Sequence, residues 1–290
     1  MEQNFGNCKI IKFEPCEQID AQLESFAEDF FEVIEINYTD DGQEQLIGYM
    51  RLNTADNELI VAAKKWGVDL PPYSVELLRG RDWLKENVIK FAPVEVDEFY
   101  VYGIHENNVD KHGKIGIKIY AATAFGSEHQ TTKCCLRGIS EINCLINTPQ
   151  KVLDVGTGSG ILSLAAAKLW KNAQIVAVDI DDESVKVTEQ NAIDNGVEKQ
   201  IIAAYSDGYA SEIVQKNAPY DVILANILAR PLIAMAKDMA KNLKVGGYAV
   251  ISGFIDEQVD WVVGEHEKYG LQLQKIYEDG QWHAALLKRI

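Results

Sequence analysis

The segment "LDVGTGSG" (153–160) carries the residues best suited to hold a cofactor. Gly156, Gly158 and Gly160 have G-x-G-x-G spacing and directly precede the helical pattern of "ILSLAAAKLW". The dinucleotide fingerprint is instead G-x-G-x-x-G, which brings a helix N-terminus to a pyrophosphate. The shorter spacing favours S-adenosylmethionine, a phosphate-free cofactor, because glycine without a Cβ lets the backbone come close to it. Asp154 is suited to bind the cofactor's ammonium group. The alternative is an ordinary glycine turn.

A carboxylate at the end of the next strand supports the same interpretation. In "VAVDID", Asp179 lies 23 residues after Gly156. A carboxylate at this place accepts hydrogen bonds from both hydroxyls of a ribose. We therefore predict that Asp179 binds the adenosine. The neighbouring Asp181 and Asp182 are predicted to cap the helix that begins near Glu183.

Two further polar residues follow later strands. Asp207, in "YSDG", is expected to bind the exocyclic amine of adenine, and the alternative is a helix cap. Asn226 ends the otherwise apolar "DVILAN", and ligands of doubly wound sheets lie at the carboxyl ends of the strands. Its carbonyl is placed to orient an attacking amine. The alternative is a buried amide that bonds to the backbone.

No side chain stands out as a general acid or base. Methyl transfer to an amine requires a neutral, aligned amine, and the released proton can pass to water. We therefore expect no catalytic acid or base residue. Five cysteines, an odd number without a CxxC pair, also argue against a zinc site or a disulfide framework.

The negative charge is concentrated in the first part of the chain. Residues 1–110 contain nine basic and 23 acidic side chains, a net charge of −14, whereas the whole chain carries −16. Such a surface repels nucleic-acid phosphates and attracts a basic protein, so we expect a basic protein partner and no direct nucleic-acid binding. The alternative is that the acidity serves solubility alone.

The composition indicates an ordinary soluble protein. The chain has 290 residues, 47% of them hydrophobic and 25% charged, and is long enough for two domains. No apolar run reaches the length of a membrane span, and "MEQNFGNCKI" lacks the features of a signal peptide. We expect a cytoplasmic protein without a membrane contact.

The order of apolar patterns predicts two different architectures. Up to residue 78 the order is β-α-β-β-α-β, which is typical of the ferredoxin-like α+β fold. The strands are predicted at 8–14, 31–38, 45–52 and 68–78, and the helices at 17–30 and 57–67. A helix at 82–91 then leads to two strands, 94–103 and 114–121, predicted to pair as a hairpin.

From residue 148 onward, five strands alternate with helices, which predicts a parallel sheet covered on both faces. Two consecutive strands then meet at Asp279-Gly280, a hairpin signal. This plan predicts a Rossmann-like, seven-stranded S-adenosylmethionine-dependent methyltransferase domain after the small ferredoxin-like domain. The expected divisions are 1–92 for substrate recognition, 93–121 for a linker with the hairpin, and 122–290 for methyl transfer.

Several longer segments resemble one family, the ribosomal protein L11 methyltransferases (PrmA). The similar segments are "VLDVGTGSGILSLAAAKL", "VAVDIDDESVKVTEQNAIDNGV", "YDVILANILARPLIAMAKDM" and "YAVISGFIDEQVDWV". The run "ANILARPL" is more specific than the glycine loop, since other methyltransferases have different residues after that asparagine. Upstream, "AFGSEHQTT" (124–132) is similar to the family's AFGTGTHPTT loop.

The resemblance implies an enzyme that methylates amino groups of a basic ribosomal protein of the large subunit. These amines are lysine side chains, the N-terminal amine, or both. It implies that the loop at 124–132 covers the cofactor, with Thr132 in contact. It also implies that Gly156, Asp179 and Asn226 match the family's cofactor-contacting positions, and that the amino-terminal domain recognises the substrate.

The chain departs from the family in that same loop. "FGSEHQTT" is one residue shorter than FGTGTHPTT and has Glu128 where the family has a second glycine. Three alternatives therefore stay open. They are a methyltransferase for another protein or small molecule, a module that binds the cofactor with reduced activity, and a nicotinamide oxidoreductase, which the glycine spacing disfavours.

Overall fold

A computed structural model describes residues 8–31, 33–39, 42–51, 54–55, 57–78, 91–106, 109–120, 130–146 and 148–290. The chain divides into two compact units, residues 1–87 and 88–290. Within the described ranges, every helix is too short or too polar to cross a membrane.

The first unit has the predicted ferredoxin-like fold. Its elements are β1 (Cys8–Phe13), α1 (Ala21–Phe30), β2 (Val33–Tyr38), β3 (Glu44–Arg51), α2 (Glu58–Trp66) and β4 (Tyr73–Leu78). The sheet order is β2-β3-β1-β4, and each neighbouring pair is antiparallel. The β-α-β-β-α-β prediction is confirmed.

Local signals set the limits of these elements. The carboxylate of Asp20 accepts hydrogen bonds from the first turn of α1, and Gly67, with φ of 73°, ends α2 in the left-handed conformation. The last strand begins at Tyr73 rather than Val68, because Pro71 and Pro72 cannot donate to a strand ladder. It lies at the sheet edge, as the prolines predict.

The second unit begins with a three-stranded sheet that corrects one prediction. Its strands are β5 (Val94–Val96), β6 (Phe99–Gly103) and β7 (Ile115–Ile119). The strand predicted at 94–103 is itself a hairpin. Asp97, with φ of 46°, lies in its turn, and β5 and β6 pair antiparallel. The predicted pairing of 94–103 with 114–121 as a hairpin is wrong, because β6 and β7 are parallel. Of the helix predicted at 82–91, positions 82–90 lie outside the described residues.

The remaining elements form the predicted methyltransferase sheet. They are α3 (Gln130–Leu145), β8 (Lys151–Val155), α4 (Ile161–Leu169), β9 (Gln174–Asp179), α5 (Asp182–Asp194), β10 (Ile201–Tyr205), α6 (Glu212–Asn217), β11 (Tyr220–Asn226), α7 (Ala229–Asn242), β12 (Leu243–Ile255), a 3-10 helix (Asp256–Gln258), α8 (Val259–Glu267), β13 (Leu271–Asp279) and β14 (Trp282–Arg289). The sheet order is β10-β9-β8-β11-β12-β14-β13. The first five strands of this order are parallel, and β14 is antiparallel to both neighbours.

Burial on both faces of the sheet explains its apolar strands. One set of buried side chains packs with α3, α4 and the three-stranded sheet, and the other packs with α7 and α8. The chain order reverses between β8 and β11, so the crevice beyond their carboxyl ends is the expected ligand site of a doubly wound sheet. The predicted turn at Asp279-Gly280 joins β13 to β14.

Candidate active site

The glycine loop lies where the chain order reverses, at the carboxyl end of β8, and it bends across the end of β9. Gly156, Gly158 and Gly160 have φ values of 71°, 55° and 80°, a region that favours glycine. The N–H groups of Gly156 and Thr157 donate to the carbonyl of Val178, at 2.8 and 3.0 Å. The loop therefore folds back on the neighbouring strand, and the helix that follows starts at the same edge.

Asp154 is a buried carboxylate beneath the loop, and only one of its oxygens is fully bonded. Its Oδ2 accepts hydrogen bonds from Thr157 Oγ1 at 2.9 Å, Ser163 Oγ at 2.6 Å and Ser163 N at 3.1 Å. Its Oδ1 is buried and has no hydrogen-bond partner among the described residues. Burial raises the pKa of Asp154 to about 6, although the bonds from Ser163 and Thr157 lower it. A buried carboxylate oxygen that lacks a hydrogen-bond donor is suited to a cationic group of a ligand.

Asp179 stands at the end of β9 and faces the loop. Its Oδ2 accepts a hydrogen bond from Gly158 N at 2.9 Å, and its Oδ1 accepts one from Asp181 N at 3.1 Å. These bonds fix the carboxylate beside the glycines at the sheet edge. The predicted cap is formed by Asp181, which accepts from Glu183 N, while Asp182 is the first residue of α5.

The next loop brings Asp207 to the same end of the sheet. Tyr205 at the end of β10 pairs with Asp179, and Asp207 follows two residues later with an exposed side chain. The alternative of a helix cap is wrong, because α6 begins at Glu212 with Ser211 as its N-cap residue.

Asn226 and Thr132 were predicted from separate motifs, and the fold brings them together. Asn226 Nδ2 donates to Thr132 Oγ1 at 3.4 Å, across 94 residues of sequence. Thr132 is buried in the first turn of α3, and Asn226 is half-buried at the end of β11. This contact is to a side chain rather than to the backbone, and it leaves Oδ1 as the acceptor of the amide. The residues of the loop that precede Gln130, from 124 to 129, lie outside the described residues.

Two glycines enclose the residue after Asn226. A Cβ on Gly253 would overlap the backbone carbonyl of Ile227, and a Cβ on Gly156 would overlap the Ile227 side chain. Ile227 N also donates to Ser252 O at 3.0 Å. Ile227 is therefore fixed between β12 and the glycine loop, and the position of Asn226 depends on this contact.

Replacing Gly253 by alanine tests that dependence. Gly253 has φ of 104°, and its missing Cβ faces backbone, so the new methyl group forces the Ile227 segment to move. We expect the free energy of unfolding to fall by about 1–3 kcal/mol and turnover to fall roughly a hundredfold. Urea unfolding and initial methylation rates measure the two effects.

Gly264 in α8 provides the matched control, since a Cβ there meets nothing within 4 Å. Gly264→Ala should leave turnover unchanged and raise stability by about 0.5–1 kcal/mol. Equal activity of the two variants would show that the Ile227 contact does not position the site.

The pKa of Asp154 predicts a pH dependence of stability. Its value in the folded protein, about 6, exceeds the ordinary 3.8, so the folded form holds this proton more tightly. The resulting stabilisation is complete below pH 3.8 and is lost as the pH rises through about 6. Relative to Asp154→Asn, the free protein should lose up to about 3 kcal/mol between pH 4 and pH 7 in urea unfolding. Parallel pH profiles of the two proteins would contradict this assignment.

Three features of the site were not predicted from the sequence. Ile180 directly follows Asp179 and is 61% exposed, which places an apolar surface beside the predicted adenosine ligand. Ser163 is a polar residue in an apolar helix, a signal that could have pointed to its bond with Asp154. The contact of Gly253 with Ile227 joins separate strands and has no local signal.

The residues present fit S-adenosylmethionine. The glycine loop permits close backbone approach, and Asp154 Oδ1, which has no partner in the described part of the chain, suits an ammonium. The Asp179 carboxylate at the edge of the loop has the chemistry that ribose hydroxyls require. No group of three or more His, Cys, Asp or Glu side chains within the described residues is arranged to hold a metal ion. The seven-stranded order, with this glycine loop at the carboxyl end of β8, is the arrangement of the S-adenosylmethionine-dependent methyltransferases.

Comparison with known proteins gives the family. The family described as "Ribosomal protein L11 methyltransferase (PrmA)" matches residues 9–289, and the chain belongs to it. The chain is 34% identical to the ribosomal protein L11 methyltransferase of Brucella suis over 273 residues, 90% of this chain and 95% of that protein. Its counterpart in Rhodopseudomonas palustris is 34% identical over 218 residues, 74% of this chain and 73% of that protein.

A solved structure agrees with this assignment. The crystal structure of ribosomal protein L11 methylase from Lactobacillus delbrueckii subsp. bulgaricus is 28% identical to the chain. It covers 69% of this chain and 99% of its own, with a TM-score of 0.60.

Proposed function

We propose that this protein transfers methyl groups from S-adenosylmethionine to amino groups of ribosomal protein L11. The amines are lysine side chains, the N-terminal amine, or both. The observation that carries the proposal is the Asn226–Thr132 contact beside the glycine loop, in a chain of this family. A ribosomal protein as substrate also supports the expected cytoplasmic location.

The site residues have distinct roles in this proposal. Bound S-adenosylmethionine supplies an electrophilic methyl group on a sulfonium. Asp154 would bind the ammonium of the cofactor, Asp179 the ribose hydroxyls and Asp207 the adenine amine, and Ile180 would offer an apolar surface to the adenine ring. The loop glycines provide space for the methionine part.

Asn226 acts on the substrate rather than on the cofactor alone. Because its Nδ2 donates to Thr132, its Oδ1 accepts an N–H of the incoming amine and directs the nitrogen lone pair. The proton released on methylation passes to water, so the step requires no buried base. Orientation is therefore the main contribution of the protein to the reaction.

The acidic first unit has a surface suited to a basic substrate. Asp20 at the N-cap and Glu24 and Glu28 on α1 lie four residues apart and form one acidic stripe, while the last turn of the helix has no basic residue. Like charges at this spacing destabilise a helix slightly. A basic partner offsets that cost, so we assign substrate recognition to this unit.

Methylation of purified L11 at two salt concentrations tests the proposal. The full-length protein should incorporate methyl groups into L11, as detected by mass spectrometry. Its kcat/KM should fall between 50 and 200 mM salt because salt screens the charge attraction. Glu24→Gln/Glu28→Gln should lower kcat/KM several-fold at low salt and reduce its salt dependence.

The control is Glu212→Gln/Glu267→Gln, which removes the same charge from exposed positions on α6 and α8. It should behave as the unmodified protein does. Tight cofactor binding without methylation of L11 would instead favour a cofactor-binding module or a different substrate.

A further inference from the structure

A second charged surface lies on the other unit and has the opposite sign. Lys168 and Lys171 at the end of α4 lie close to Lys111, which precedes β7; we call these three residues the lysine cluster. Lys168 interacts electrostatically with both of the others. Within the described part of the chain, none of the three forms an ion pair.

Two tyrosines lie beside the lysine cluster. Tyr100 and Tyr102 alternate with buried residues of β6 and are partly exposed on the outer face of the three-stranded sheet. Their ring centroids are 6.1 Å apart, and Lys111 Nζ is 5.8 Å from the centroid of Tyr102. Lys118 pairs with Tyr102 across the β6–β7 ladder and adds a fourth cation next to this face.

Holding these positive charges close together costs free energy, and a bound anion offsets that cost. Burial and the two neighbouring lysines lower the pKa of Lys168, since all of them disfavour its charged form. Two carboxylates beside this face have other partners: Glu95, which pairs with Tyr100 across the β5–β6 ladder, bonds to His112 and Lys114, and Asp110, next to Lys111 in sequence, contacts His112. Neither carboxylate therefore pairs with a lysine of the cluster, in a chain whose net charge is −16.

We propose that the lysine cluster and the two tyrosines form a binding surface for single-stranded RNA. Closely spaced lysines bind successive phosphates, and tyrosine faces stack with bases whatever their sequence. At 0.1 M salt, screening limits the influence of any charge to about 10 Å. The expectation of no nucleic-acid binding rests on the net charge of residues 1–110. The two tyrosines lie within that range, but every lysine of the cluster lies beyond it. The proposal does not depend on the methylated substrate.

Fluorescence anisotropy with a labelled 12-nucleotide oligouridylate and the full-length protein tests this. Three phosphate contacts predict that affinity falls about twentyfold between 50 and 200 mM salt. Lys111→Gln/Lys171→Gln, which changes two exposed lysines, should bind at least tenfold more weakly at 50 mM salt and retain only about a threefold salt effect. Tyr102→Leu should weaken binding about fivefold or more through lost stacking.

The control Lys237→Gln/Lys268→Gln makes the same change in net charge on the exposed surface of α7 and beyond α8. It should bind as the unmodified protein does, and all variants should retain their affinity for S-adenosylmethionine. The proposal is overturned if oligouridylate does not bind at 50 mM salt, or if the control pair weakens binding equally. Equal competition by inorganic polyphosphate of the same charge would overturn it in favour of a general anion site.

Discussion

Replacing Asp179 by alanine is expected to weaken the binding of S-adenosylmethionine by about tenfold to several hundredfold while the fold survives. The carboxylate is fixed at the end of β9 by Gly158 N and Asp181 N, so it is already oriented toward the ligand side of the loop. In the proposed complex, the ribose hydroxyls would donate charge-assisted hydrogen bonds to it, each contributing at most about 1.5–3 kcal/mol. A net loss of about 1.4–3.5 kcal/mol for the pair corresponds to the expected range of affinities. Isothermal titration calorimetry measures the change in affinity directly.

Asp182 provides a control of the same chemistry three residues away. It is exposed in the first turn of α5, so Asp182→Ala removes a carboxylate without removing a predicted ligand. The affinity of Asp182→Ala for the cofactor should stay within about threefold of the affinity of the unmodified protein. Circular dichroism should show that both variants are folded. If Asp179→Ala bound the cofactor as tightly as Asp182→Ala, the ribose assignment would be wrong.

The placement of the glycines and Asp179 can be predicted from the sequence because the signals for it are local. Apolar runs define β8 and β9, and the glycines and Asp179 lie directly at the ends of these strands. In a doubly wound sheet, the ends of neighbouring parallel strands meet at one edge. The positions of Gly156 and Asp179 relative to each other therefore follow from the strand pattern alone.

The pairing of β7 shows where such signals fail. Lys118 N donates to Asn195 Oδ1 at 3.0 Å, and Tyr120 N donates to Asn191 Oδ1 at 2.8 Å. Asn191 lies on α5 and Asn195 directly follows it, more than 70 residues later in the sequence, and both side-chain amides fix the backbone at β7. The direction of this strand is set by tertiary contacts, so the local pattern suggested a hairpin where the structure has a parallel pair.

The contacts around Asn226 have the same long-range origin. Thr132 and Asn226 were predicted separately, but only the fold shows that one side chain bonds to the other. Likewise, Gly253 has no turn pattern that would reveal the close approach of Ile227. The sequence can therefore identify the chemical groups of the site, whereas the contacts that orient them require the tertiary structure.

Replacing Asn226 by alanine should then separate orientation from cofactor binding. If Asn226 acts as proposed, the incoming amine then loses the acceptor that directs its lone pair, and a misplacement of about 1 Å costs roughly a hundredfold in rate. We expect kcat with L11 to fall about a hundredfold or more, while the affinity for S-adenosylmethionine changes less than about fivefold. Single-turnover methylation measures the first quantity and calorimetry the second.

Thr132→Val examines the same mechanism through the partner of Asn226. It removes the hydroxyl that accepts from Nδ2 while keeping the side-chain volume, so the amide loses this restraint on its rotation. We expect kcat to fall about tenfold. The double variant Thr132→Val/Asn226→Ala should be no slower than Asn226→Ala alone, because Thr132 and Asn226 act together as a single unit that orients the amine. Independent, additive losses in kcat would mean that Thr132 acts on the cofactor and not through Asn226.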